Sequence, residues 1–561
     1  MRKLLFPLMF AATACQTTMP PSQTEPKLAV APDTPTRQAQ LPRTTIDYDR
    51  SLLGENERAV VARLIEASGF IDEIFWRQVS EENPALRERL EAQAPASALD
   101  RAGYDYFIAN KGRWDRLKLD EPFIEPFGPA GAKPEGAAFY PPDITREEFE
   151  RYVAENPDQK DALQGLFTVV RREGSRLVAI PYSRHYRELL EPAAAKLREA
   201  AALTNNASLR DYLTKLAAAL MTDDYRESDI AWMDLNGPIE VVIGPYEVYE
   251  DEMFNFKAAF ESFVTVVDRP ESEKLAVYTQ HLPAMERNLP EPEEYKNPDR
   301  GAESPIRVVQ EIFTAGDARR GVQTAAFNLP NDEYVREIKG SKKVLLKNVM
   351  DAKFRQSGQP IALRVLDPSL TGLISFDAFF NQVLFHELSH GLGPGLITRP
   401  DGQRVEVRIL LKNLYSAIEE CKADVLGLWN ILYARDQKLL TSIDERQLFA
   451  TYTGLMFRSM RFGIDGAHGR GTAVQWNWMR EKGAITPVAD GRFMVDFDRF
   501  RTATRDLATE LLTIQATGDF DRAQRLLDRY GVTTPEIASV IARLTDIPVD
   551  ITPVFPAAGE R

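Results

Sequence analysis

Five consecutive residues carry the clearest chemistry in this chain: His386-Glu387-Leu388-Ser389-His390. Residues four apart share one face of a helix, so the two imidazoles can meet a single metal ion. Glu387 falls one step round, where its carboxylate can reach a water on that ion without binding the ion itself. Two histidine ligands and a free carboxylate base are what hydrolysis by a metal-activated water requires, and zinc suits them. The whole chain holds only 5 histidines, so two at this spacing by accident is a poor explanation. His185 and His281 lie among charged residues and read as surface positions.

Such a site needs a third protein ligand and an open fourth position. Residues 407–433 form a second helical pattern that contains Glu419-Glu420-Cys421-Lys422-Ala423-Asp424. Glu420 and Asp424 are four apart and share a face. One of them can bind the ion while the other accepts a hydrogen bond from a ligand histidine and fixes its tautomer. Leu414, Ile418, Val425 and Leu428 around them predict a buried helix, where carboxylates need partners. Cys421 lies about 100° round from Glu420 and reads as core.

The elements that must hold these residues follow from periodicity. Residues 375–392 predict a helix with Ser375 as its N-cap and Gly391 and Gly393 past its end. Helical spacing also marks 186–203, 208–221 and 274–286, and most of 375–459. Texture changes at Gly237: the β-branched runs 239–244 and 263–267 predict strands. Residues 300–370 mix short apolar runs with turns, including Asn328-Leu329-Pro330-Asn331, and the tail reads as a helical hairpin, 520–530 and 534–544, broken at Gly531.

With 561 residues and 44% hydrophobic content, the chain can bury a large core, as two or three domains or one two-lobed enzyme. A formal charge of -14 argues against nucleic acid as a partner. The only cysteines, Cys15 and Cys421, allow no disulfide framework and no cysteine-built zinc finger. Arg2 and Lys3, an apolar run over 4–14 and small residues before Cys15 predict an export leader of the lipobox kind, with Ala12 where leucine is usual. Membrane attachment is then expected only through a lipidated Cys15. Gln16 suits the outer membrane, facing the periplasm, of a bacterial cell envelope. Pro20, Pro21, Pro26, Pro32, Pro35 and Pro42 predict a flexible tether over 16–45.

Taken together, these motifs resemble the dipeptidyl peptidase III family of zinc exopeptidases, in a form with the five-residue HExxH spacing; animal members carry HExxGH. The family's second motif reads EECRAE or close to it, with its second glutamate on zinc. This implies His386, His390 and Glu420 as ligands, with Glu419 and Asp424 behind them. Lys422 stands where arginine is usual, and Asp424 where glutamate is. Residues 243–249, followed by Phe263-Val264, resemble a strand region carrying a cleft glutamate and tyrosine. That implies Glu247 at the substrate and Tyr249 at the reacting carbonyl. Asn328 and Asn331 match a pair of asparagines that hold the peptide's N-terminus, and Gly466-Ala467-His468-Gly469 matches the segment of a catalytic-site histidine. The likeness runs from about 236 to 480.

The resemblance implies an α+β fold, predominantly helical, with two lobes around a wide cleft: a helical zinc-binding lobe and a mixed lobe with a β-barrel. In this chain the division falls at 46–270, with 318–355 returning, for the mixed lobe. The helical lobe takes 271–317 and 356–535, and 536–561 forms a C-terminal segment. It implies one zinc per chain, short peptides as substrates, a monomer, and release of dipeptides from the N-terminus with Glu387 as base. A zinc aminopeptidase or an oligopeptide endopeptidase on the same site is the nearest alternative. An envelope metal-binding protein without turnover is the second, and the intact Glu387 speaks against it. A nudix-type phosphohydrolase is disfavoured because the chain has no glycine-glutamate nudix box.

Overall fold

Burial on both faces sets the central sheet of this computed structural model, which describes residues 26–296, 306–398 and 402–560. Strands β1 (Ile239–Glu247) and β2 (Ala259–Val267) are buried along almost their whole length and pair antiparallel from Ile239–Val266 to Glu247–Ala259. Both run past the β-branched runs that announce them. Three further strands complete the sheet: β3 (Ile306–Gly316), β4 (Ala326–Leu329) and β5 (Lys342–Leu346). Their order is β1-β2-β3-β5-β4, with β5 parallel to β3 and β4 antiparallel to β5. The expected barrel takes the form of this open five-stranded half-barrel, with β4 on one edge.

Successive side chains of a strand point to opposite faces, and here the two faces serve two cores. Val344 and Leu346 of β5 join helices α1 (Glu55–Val79) and α2 (Arg187–Leu203) in one apolar cluster. Leu345 of β5 and Val308 of β3 join a second cluster built by α3 (Phe376–His390), α4 (Tyr415–Asp436), α5 (Ala467–Glu481) and α6 (Phe497–Thr517). The sheet is therefore the element through which the mixed lobe meets the helical lobe.

Ser375 caps α3 as expected, its side chain accepting from the Ala378 amide. The single helix expected over 407–433 is instead broken: a short turn of helix, Val407–Leu411, ends at Lys412, whose φ of 51° is left-handed, and α4 begins at Tyr415. Helical spacing survives the break, which hides it from periodicity. Gly427 of α4 lies against α3 so closely that a Cβ there would stand 3.0 Å from the His386 amide nitrogen. A side chain there would have to push the two helices apart by a few tenths of an ångström.

The tether expected over 16–45 is corrected for its described part. Leu28, Val30 and Leu41 are buried, Thr34–Gln38 is helical, and Arg43–Thr45 pairs parallel with Thr552–Val554. Leu28 and Leu41 pack with Trp76, Phe107 and Phe123, and Arg37 reaches Asp115 at 3.1 Å, so scattered apolar residues anchor a proline-rich stretch. The leader expected at 1–15 and residues 16–25 lie outside the described residues. No helix among the described residues is long and apolar enough to cross a membrane.

Candidate metal centre

Helix α3 ends at His390, and the last carbonyls of any helix lack partners within it. Lys422 of α4 supplies a donor: its Nζ donates to the carbonyls of Ser389 (3.0 Å), His390 (3.3 Å) and Leu392 (3.0 Å) and pairs with Glu419 at 2.9 Å. A cation at a helix C-terminus is favourable for the dipole as well. One residue thus pins the motif helix to the acidic helix.

The side chains then converge. Nε2 of His386 and Nε2 of His390 are 3.2 Å apart, and Glu420 Oε2 lies 3.4 Å from the first and 3.7 Å from the second. Ligand atoms on a tetrahedral zinc stand roughly 3.3 Å from one another, given bonds near 2 Å. Glu420 Oε2 is buried and receives no hydrogen bond, although Nδ1 of His468 also approaches it to 3.2 Å. An unsatisfied buried oxygen among imidazole nitrogens fits a cation, and these three residues form the one group among the described residues able to hold a metal.

The outward nitrogens are fixed as a ligand set requires. Nδ1 of His386 faces Asp424 Oδ1 at 2.7 Å, and Nδ1 of His390 faces Glu419 Oε1 at 2.9 Å. Gln382 and Gln475 also donate to Asp424, and Gln515 donates to Glu419. These bonds orient each ring with Nε2 towards the shared point. Burial drives the Glu419 carboxyl up, but Lys422 and His390 outweigh it and bring it down to about 2. For Asp424 burial is likewise outweighed, here by His386 and Gln475, which hold it below the usual range.

Glu387 stands beside this group. Its Oε2 accepts from Lys343 Nζ of β5 at 2.8 Å. Burial raises its carboxyl, and Lys343 with the motif histidines brings it below the ordinary value. His386, Glu387, Asp424 and His468 line a cavity of about 230 Å³ whose sheet-side wall is Ala325 and Ala326. His468 sits at the start of α5, its side chain 69% exposed, so it is free to face a ligand.

Glu247, Tyr249, Asn328 and Asn331 are placed elsewhere, on a cavity of about 910 Å³ over the sheet. Ala326 borders both cavities, so β4 runs from one to the other. Asn331 donates to the Tyr246 carbonyl at 2.8 Å, and Asn328 is exposed. Burial and Asp317, opposed by Arg320, push the Glu247 carboxyl up to about 7, and buried Glu261 beside it is raised too. Tyr249 is 68% exposed on the rim and does not line the metal-side cavity. Of the residues expected at the reacting carbonyl, only His468 is at the metal group. Lys343 and the three glutamines escape sequence reasoning, since nothing in their spacing names a partner on another element.

Fold and site together define a two-lobed metallopeptidase of the HExxH kind. A model of peptidase family M49 matches residues 144–406. DPP III from Caldithrix abyssi has a similar structure, with a TM-score of 0.87 and 49% identity over 92% of this chain and 98% of that one. Dipeptidyl-peptidase III from Corallococcus sp. strain EGB gives 0.75 and 40% over 95% and 98%. Nudix hydrolase 3 of Arabidopsis thaliana is 38% identical over 93% of this chain and 74% of its own length. The chain belongs to the dipeptidyl peptidase III family, peptidase family M49.

Proposed function

We propose that this protein is a zinc-dependent exopeptidase that releases dipeptides from the N-terminus of short peptides. The observation that carries this reading is the spacing along β4. Ala326 borders both cavities, and Asn328, two residues on, borders only the sheet-side one, with Asn331 and Glu247. Two residues of extended chain span about 7 Å. A peptide laid along this edge, with its ammonium group among Glu247, Asn328 and Asn331, presents its second peptide bond to the metal group.

His386, His390 and Glu420 would hold the metal, with Asp424 and Glu419 holding the two histidines. When bound, zinc supplies a water that is acidic near neutral pH and polarises the scissile carbonyl. Glu387 takes the proton of the attacking water and delivers it to the leaving amine. His468 offers a donor to the oxyanion, a contribution of about 3 kcal/mol where such a donor is preorganised. Tyr249 reaches that carbonyl only if the lobes close. The residues read as an export leader, 1–15, are what an envelope location as an anchored lipoprotein rests on.

The test compares a free peptide with its N-acetylated form, products read by mass spectrometry. Dipeptides are expected from the free peptide alone. Equal cleavage of both forms contradicts the reading and favours an endopeptidase.

A further inference from the structure

Lys342 and Lys343 are adjacent on β5, and alternation sends them to opposite faces of the sheet. Lys342 goes into the sheet-side core, where its Nζ meets Glu240 at 3.1 Å and the Trp232 carbonyl at 2.8 Å. Lys343 shares its face with Leu345, which belongs to the helical lobe's core. Its Nζ crosses to α3 and donates to Glu387 twice, to the carboxylate Oε2 at 2.8 Å and to the backbone carbonyl at 3.3 Å. Both side chains are only about a fifth exposed, 22% and 23%, so the pair is shielded from solvent more than an ordinary surface bridge.

The cross-strand partner of Lys343 is Asn328 of β4. Directly paired residues point to the same side of a sheet, so Asn328 and Lys343 stand side by side on the face turned to the helical lobe. A short path therefore leads from the edge strand, through Lys343, to the carboxylate beside the metal ligands. The bond occupies one carboxylate oxygen, Oε2, and Oε1 keeps its lone pairs for a second partner.

We infer that Lys343 is a positioning residue. It sets the Glu387 carboxylate against the strand on which the peptide lies, an inference that rests on Glu387 being the proton carrier. Glu387 rides on a helix of one lobe and its tether on a strand of the other. The base is thus aimed only while sheet and helix keep their spacing, and a misplacement near 1 Å costs on the order of 100-fold in rate.

Lys343→Met, Lys343→Arg, Glu387→Gln and the double variant Lys343→Met/Glu387→Gln are compared as zinc-loaded proteins on one peptide. Lys343→Met is expected to lower kcat roughly 10- to 100-fold, with KM within about twofold and zinc content unchanged. Lys343→Arg should restore most of the loss. In the Glu387→Gln background Lys343→Met should cost nothing further, since a residue acting through another gives no independent effect. A wild-type kcat in Lys343→Met, or an equal loss in both backgrounds, overturns the inference. A wild-type chain that cleaves nothing instead sinks the reading of the site. The bridge is then judged by hydrogen exchange of the metal-free protein. Amides 386–391 should exchange faster in Lys343→Met but not in Lys339→Met, whose exposed ion pair to Asp234 serves as control; unchanged exchange overturns it.

Discussion

The two cavities that meet at Ala326 are built on opposite electrostatic plans. At the metal end each carboxylate behind a ligand is matched: Glu419 by Lys422, His390 and Gln515, and Asp424 by His386, Gln382 and Gln475. At the sheet end Glu247 and Glu261 face each other and Asp317, with Arg320 as the nearby cation, and both carboxyls are raised. Asp229, buried and bonded by the Tyr246 hydroxyl, is raised to about 7 as well. A matched site is stiff and fixes ligand geometry, whereas an unmatched acidic pocket gains most from a cation that arrives with the substrate. On the proposed function, the difference separates a place for chemistry from a place for recognition.

The comparison breaks most visibly if its metal end is disarmed. Glu387→Gln keeps the metal ligands and removes the base; kcat should fall by about 10²- to 10⁴-fold, with zinc content unchanged by elemental analysis. Next in size, Asp424→Ala or Glu419→Ala releases one ligand histidine. Either should weaken zinc binding by roughly 10- to 100-fold in a chelator competition, while Glu261→Gln at the other end should leave zinc affinity as it was.

The smallest effect sharpens the sheet end. Glu247→Gln should raise KM about tenfold for a free peptide and leave kcat nearly unchanged. The pH sign follows from the raised carboxyl. Below about 7 Glu247 carries a proton and attracts an ammonium group poorly, so KM should fall as pH rises through 7. A peptide α-amine loses its own charge near pH 8, so affinity should peak between these values. Steady-state kinetics from pH 6 to 9 check this, and the Glu247→Gln variant should lose the lower limb.

Much of the metal end is legible in the sequence because its spacing is local. His386 and His390 sit four apart on one helix, as do Glu420 and Asp424 on another, and Ser375 announces where the first begins. Which carboxylate serves which histidine is not local. It depends on how α3 and α4 cross, which Gly427 permits and Lys422 locks. The sheet end is harder to read. Asn328 and Leu329 look like part of a turn around Pro330, yet they close a four-residue edge strand held by β5. Nothing in the sequence separates Lys342 from Lys343, and only the strand's alternation reveals two separate ion pairs. The proline-rich segment misleads for a related reason: its three buried apolar residues are too few and too unevenly spaced to show a period, and their partners lie on other elements.

On the proposed function, β4 measures two residues from the ammonium pocket to the metal. The most direct test is the product ladder of the zinc-loaded protein on an unmodified peptide of about eight residues, followed in time by mass spectrometry. Substrate should shorten in steps of two from its N-terminus, with dipeptides accumulating and the ladder absent in Glu387→Gln. Steps of one residue, or internal fragments appearing first, would contradict it.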